Sequence, residues 1–389
     1  MSRRKQVGLS ALAIPTLFLF AAPGSSQERP AERIVPTHAV VLTGYGTVGH
    51  QYLAADGHDA PPSAFQASVS PVFLYQFQDR ILFEAELEFE LEEGATRTGL
   101  EYAQADVMLS NNLTLIAGKF LLPIGVFGER LHPTWINKMA TMPPLFGHHG
   151  SGFGADPLLG IAADVGAMAR GAFQAGRFQI GVHGYVTNGF RAEAHAEEEE
   201  GAGHAEEAEA GGDHDEEIAE IPELVLAGSS EDVSDDKMVG GRLDVALPPM
   251  AELNFSAFTG TYDEADELSL TGLGVAGELR RGGWELRGEY LRTVQEFAGH
   301  EGIEERIRSG VYAQLAYRIG PWEPLVRYTR LFDDEIEGER DQTGATQAAV
   351  GVDYWISPSI AVMASYELNR EDAVVVDNDR LNVHLSFGF

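Results

Sequence analysis

Between Ile81 and Glu92 the chain reads ILFEAELEFELE, so Glu84, Glu86, Glu88 and Glu90 fall at every second position. Phe83, Ala85, Leu87, Phe89 and Leu91 fill the alternate positions. A period of two puts the two sets on opposite faces of a strand, whereas a helix would scatter them. Four like charges along one strand face repel unless water or cations screen them, and a dry core cannot hold them. The chemistry is electrostatic: a wetted acidic wall that attracts cations. The solvated side of a soluble antiparallel sheet would carry this pattern, and so would the wall of a water-filled lumen.

A second cluster lies between Ala192 and Asp236, which holds eighteen Asp and Glu and no Lys or Arg. His195, His204 and His214 punctuate it at intervals of nine and ten residues, with glycines between. Imidazole and carboxylate together suit zinc, nickel or copper(II). No fixed ligand spacing is present, so a site here would be weak, and a solvated charge run has the same composition. Gly44, Gly46 and Gly49 satisfy the dinucleotide-binding spacing G-x-G-x-x-G. That motif needs a helix directly after it, and the following HQYLAADGHDAPP offers none. The chain contains neither G-x-S-x-G nor H-E-x-x-H. Ser151 closely follows His148 and His149, without a convincing third member for a triad.

The elements that carry these residues are strands. The last eleven residues, DRLNVHLSFGF, place Leu381, Val383, Leu385, Phe387 and Phe389 on one parity. Arg380, Asn382, His384, Ser386 and Gly388 hold the other. The stretch resembles the closing strand of bacterial outer-membrane barrels, whose C-terminal aromatic is part of the assembly signal. The resemblance implies an outer-membrane location, contact with lipid and with the barrel-assembly machinery through Phe389, and a first strand that pairs with the last. About sixteen strand candidates follow one another, among them Ala39 to Gly46, Ser63 to Phe77, Gly99 to Leu109, Leu159 to Phe173, Phe178 to Phe190 and Arg306 to Ile319. Short turns such as Asn111-Asn112, Gly320-Pro321 and Ser357-Pro358 alternate with longer polar loops, as in bacterial barrels whose short turns are periplasmic. Pro71 is awkward in mid-sheet because it lacks a ladder donor. The expected fold class is all-β, a transmembrane antiparallel β-barrel over residues 38–389.

Residues 1–26 read as a secretory signal peptide, with Arg3, Arg4 and Lys5 before an apolar run to Ala22. Residues 27–37 read as a periplasmic leader. Two long loops stand out. The first, Leu121 to Leu158, follows the fifth strand, where general porins fold a loop into the lumen as a constriction. Gly118, Phe120, Pro123 and Gly125 form a G-x-F-x-x-P-x-G-like segment that resembles porins of the phosphate-selective and related families. The dense run of lysines and arginines that phosphate selectivity requires is absent. A folded-in loop brings Glu129, Arg130, His132, Lys138 and the His148-His149 pair to the narrowest point; an external lid would carry the same residues. The second loop is the acidic one, residues 191–236.

Parity puts Arg287, Arg308 and Arg327 on the lumen side of later strands, beside Glu285, Glu289 and Glu323. Opposed rows of charge across an opening would select among ions. Net charge is −33, or −15 without the acidic loop, which argues against nucleic acid and for mild cation preference. No cysteine is present, so there is no disulfide framework. The expected function is a porin, a passive channel for small hydrophilic solutes or ions, with no enzymatic activity and no obligate cofactor. By resemblance it would form a homotrimer. The rival readings are a metal-binding receptor or buffer using His195, His204 and His214, and a barrel hydrolase.

Overall fold

The computed structural model describes residues 38–54, 63–92, 95–146, 157–160, 162–192, 221–226, 228, 234–299, 302–373 and 378–389. The segments read as signal peptide and leader lie outside these residues, as do His148, His149, Ser151, His195, His204 and His214.

Sixteen long strands close into one antiparallel barrel. In chain order they are β1 (His38–Ala54), β2 (Ala64–Phe77), β3 (Ile81–Glu92), β4 (Ala95–Ser110), β5 (Leu113–Leu121), β6 (Ala163–Ala175), β7 (Phe178–Thr187) and β8 (Met238–Leu247). The second half runs through β9 (Ala251–Thr261), β10 (Ser269–Arg281), β11 (Trp284–Ala298), β12 (Ile303–Tyr317), β13 (Trp322–Leu331), β14 (Ala345–Ser357), β15 (Ile360–Glu371) and β16 (Asp379–Gly388). Each strand pairs with its chain neighbours, and β16 pairs with β1 from Tyr45 opposite Gly388 to Ala54 opposite Asp379. Closure leaves no unpaired edge, the condition for a sheet in lipid. The terminal residue shares in it: Gly44 N–H donates to the Phe389 carbonyl at 3.2 Å and Phe389 N–H to that of Gly44 at 3.0 Å.

The two parities of β16 separate as alternation requires. Leu381 and Val383 are 44% and 46% exposed on the outer surface, while Asn382 is 0% and His384 7% exposed inside. The same division runs around the barrel, with Phe83, Leu253, Leu286, Val326, Val350 and Tyr366 outside. At the short-turn end, the rings of Trp284 and Tyr317 pack at 4.4 Å and those of Trp322 and Tyr354 at 4.7 Å, both pairs tilted. Both rings of each pair lie on the outer face, where amphipathic aromatics suit a membrane boundary.

Several strand boundaries differ from expectation for local reasons. β1 runs on through GYGTVG to Ala54, because those glycines are strand positions. A Cβ on Gly44 or Gly46 would meet the ring of Phe389 or Phe387 at 2.8 Å, so this sequence is fitted to the closing strand and to no phosphate. Pro71 sits inside β2 opposite Gly44, and the rungs from Ser70 and Pro71 to β3 are missing while register is kept on either side. The missing donor therefore costs one local interruption and no bulge. β6 begins at Ala163 rather than Leu159, because Leu158 and Leu159 are buried in the lumen as part of the preceding loop. β7 stops at Thr187; Phe190–Ala192 forms a separate ribbon with Leu224–Leu226. β12 starts three residues earlier than read, at Ile303.

Candidate functional site

The interior is divided by the loop between β5 and β6. A chain segment at membrane depth must find partners for its backbone groups inside the protein. Here the wall supplies them. Gly125 N–H donates to Ser256 Oγ at 3.0 Å, and Val126 N–H to Glu289 Oε2 at 3.0 Å. Arg242 Nη1 donates to the Gly125 carbonyl at 3.0 Å. Arg287 Nη2 reaches the carbonyls of Ile136 and Asn137 at 3.0 and 3.1 Å, Arg327 Nη1 that of Thr141 at 2.7 Å, and Arg308 Nη1 that of Pro157 at 3.0 Å. Four wall arginines thus end on loop backbone, each such charged bond contributing about 1.5–3 kcal/mol. The loop folds into the lumen.

Ion pairs and an apolar core complete the anchoring. Lys138 Nζ lies 2.9 Å from both Glu285 and Glu323, and Arg130 Nη2 lies 2.5 Å from Glu252. Glu129 pairs with Arg242 and stands 3.7 Å from Arg170. Burial pushes the Glu129 carboxyl up, but Arg242, His183, Arg170 and Arg130 outweigh it and hold the group down at about 2. Phe127 stacks on Phe146 at 5.2 Å, and the edge of Tyr312 from β12 packs against both. Leu122, Ile124, Leu131 and Leu145 join wall residues Ile116, Phe120, Phe258 and Leu291 in one buried cluster. Part of the inner wall is therefore apolar.

The two glycines of the G-x-F-x-x-P-x-G-like segment now have reasons. Gly118 takes φ +125°, where a Cβ would come within 2.3 Å of the Ala103 carbonyl. Gly125 takes φ +62°, with Glu289 Oε2 2.1 Å from where a Cβ would stand. Both geometries exclude L side chains. The first glycine lies within β5, paired with Gln104 and Gly166, where the β4 backbone leaves no room for a side chain, and the second brings loop backbone against the wall.

The opposite sector, β1 to β6, is different. Glu84, Glu86, Glu88 and Glu90 share the inward parity of β3. Tyr45 Oη donates to Glu86 at 2.5 Å, and Gln104 Nε2 donates to Glu84 at 2.8 Å and Asp106 at 2.7 Å. Register between β3 and β4 slips by one at Glu86/Leu87, so Glu101 has no partner opposite it. Such a bulge re-aims side chains. Glu84, Glu88, Glu90 and Glu101 are half-buried, in contrast to Arg287 at 4% and Arg327 at 2% exposure on the loop-bearing wall. The loop reaches the acidic face of β1 to β4 through His132, whose Nε2 stands 3.2 Å from Tyr45 Oη and whose Nδ1 donates to the Gly128 carbonyl at 2.7 Å. Burial pulls His132 down to about 4, so the ring is neutral at pH 7.

The sequence-derived residues therefore fall into two groups that the loop keeps apart. Glu129, Arg130, Lys138, Arg287, Arg308 and Arg327 belong to the anchoring of the loop, and the Glu84–Glu90 row lies across from them. Sequence reasoning missed Tyr45, Glu101, Asp106, Arg242 and Thr141. Alternation in MVGGRLDVAL assigns Arg242 and Asp244 to one face, but which loop atom Arg242 meets has no local signature. No group of three or more His, Cys, Asp or Glu among the described residues is arranged to hold a metal ion.

Residues 11–373 match the Gram-negative porin family. No curated protein matches by sequence. Among solved structures, the chain is similar to the outer-membrane channel DcaP of Acinetobacter baumannii, with TM-score 0.59 and 10% identity over 90% of this chain and 97% of that one. It is similar to OmpF of Salmonella typhi, solved with daunomycin, with TM-score 0.55 and 12% identity over 91% and 98%. OmpT of Vibrio cholerae, solved among others in a trimer form, gives TM-score 0.53 and 11% identity over 91% and 100%. At these identities the likeness is one of fold. The family match covers most of the chain, and with the closed sixteen-strand barrel it settles class and location: this protein is an outer-membrane channel of the Gram-negative porin family.

Proposed function

We propose that the protein is a passive diffusion channel for small hydrophilic solutes and ions, weakly selective for cations, whose path runs between the inserted loop and the acidic wall of β1 to β6. The observation that carries this is the asymmetry of the interior. The arginines of β8 and β11 to β13 are used up on loop backbone and in ion pairs, so their charge is neutralised where it stands. On β3 and β4, Glu84, Glu88 and Glu101 are half-buried, and with Glu86 and Asp106 these carboxylates outnumber the neighbouring cations Arg170 and Lys119. A wall of one sign beside low-dielectric protein raises the local concentration of counter-ions. Sixteen strands leave room for an aqueous lumen beside a folded loop. Association of three copies is part of this reading and rests on family membership.

Planar-bilayer recording in a KCl gradient tests it. The expected result is ohmic steps with a reversal potential displaced toward that of K⁺. Replacing Glu84, Glu88, Glu90 and Glu101 with Gln moves the reversal potential toward zero. A reversal potential on the chloride side, or one that ignores these four changes, overturns the reading.

A further inference from the structure

At the short-turn end of the lumen, below the loop, lies a cavity of about 210 Å³. Its lining mixes charges of both signs with small apolar side chains: Arg130 and Arg280, Glu252, Glu278 and Asp244, and Ala172 and Ala246. The cations are not exhausted by their partners. Arg280 Nε contacts Glu278 at 2.5 Å and Glu285 at 3.2 Å, and its side chain is 56% exposed. Arg130 binds Glu252 through Nη2 and lines the same cavity. Carboxylates can accept several hydrogen bonds each, so Glu252 and Glu278 keep capacity after meeting the arginines.

We propose that this cavity is a binding subsite for a small zwitterion, an α-amino acid with a short aliphatic side chain. Its carboxylate would sit on Arg280, its ammonium group on Glu252 and Glu278, and its side chain on Ala172 and Ala246. A plain anion meets the carboxylates, and a plain cation leaves the arginine donors unused. The volume is below the roughly 300–1,000 Å³ of sites for drug-sized ligands, which suits an occupant of this size. The inference rests on the lumen being an aqueous path by which the solute arrives.

Saturation-transfer NMR on the full refolded barrel in detergent, with L-valine as probe, tests the subsite without requiring current. Valine signals should be saturated, while valinamide and N-acetylvaline, each with a single charge, should bind about ten-fold more weakly. Arg280→Gln and, separately, Glu278→Gln should each weaken valine about ten-fold, with folding of each variant checked by resistance to heat denaturation in detergent. Equal binding of the three probes, or no loss in either folded variant, overturns the subsite. Absence of valine saturation from a barrel that conducts KCl overturns the subsite alone. Valine saturation in a folded barrel that never conducts supports the subsite and places the fault in the channel reading.

Discussion

The two halves of the interior face opposite demands with the same strand pattern. On β8 to β15 the inward residues receive a loop, so they are arginines aimed at carbonyls, glutamates aimed at N–H groups and Lys138, and apolar side chains packed on Phe127 and Phe146. On β1 to β4 the inward residues are carboxylates, hydroxyls and amides such as Glu84, Thr47, Ser68 and Gln104, and the loop meets them through His132 at Tyr45. The difference teaches that inward parity in a barrel identifies a lumen face but not a solvated one. A lumen arginine is an ion-selecting charge only if the protein has not already claimed it.

Breaking the anchored side should have the largest effect. Arg242→Ala leaves Glu129 buried without its main counter-charge, and removal of one partner of a buried pair costs about 3–5 kcal/mol. Proteolysis within the loop should accelerate and the single-channel current should become noisy, whereas retained protection would show that Arg170 and Arg130 suffice. Phe127→Ala removes the ring between Phe146 and Tyr312 and should cost about 3–5 kcal/mol, read as a lower melting temperature.

Acid should loosen the contact between the halves. The His132 pKa is lowered to about 4 in the folded loop against an ordinary 6.5, so the detached loop binds a proton first. Loop docking is then constant above about pH 6.5, weakens as pH falls toward 4, and changes no further below it for this group. The loss is at most about 3 kcal/mol. Glu129, held at about 2, works over a lower window: its contribution is full above the ordinary carboxylate value near 4.5 and is lost as pH falls through 2. Current noise rising between pH 6.5 and 4 and abolished by His132→Asn is the expected outcome; noise unchanged by that substitution assigns the transition to another group. The smallest effect on stability belongs to the acidic wall. Glu88→Gln should alter melting by within about 0.5 kcal/mol while shifting the reversal potential.

How far the sequence carried follows from what each signal depends on. The barrel, the strand number and the closure of β16 on β1 rest on alternation and turn spacing, which are local, and they are legible in ILFEAELEFELE and DRLNVHLSFGF. The inward side of Arg287, Arg308 and Arg327 is legible for the same reason. Their engagement by the loop is not, because Arg327 and Thr141 are 186 residues apart and no periodicity links them. A weaker signal was available in β5, where LTLIAGKFL puts Ile116 and Phe120 on the inner face; a strand apolar on both sides signals a lumen filled by protein. Glu101 reaches the acidic sector through a register slip, which alternation alone cannot anticipate.

The absence of native cysteine makes one measurement direct. Single cysteines at Glu88 and at Gln347, which is 2% exposed on the loop-bearing wall, would be exposed to a charged thiosulfonate during bilayer recording. A path along β1 to β6 predicts rapid modification of Glu88→Cys with a stepwise fall in current, and no response from Gln347→Cys. Modification of Gln347→Cys with Glu88→Cys silent would contradict the account, because the solute would then be passing along the wall to which the loop is fastened.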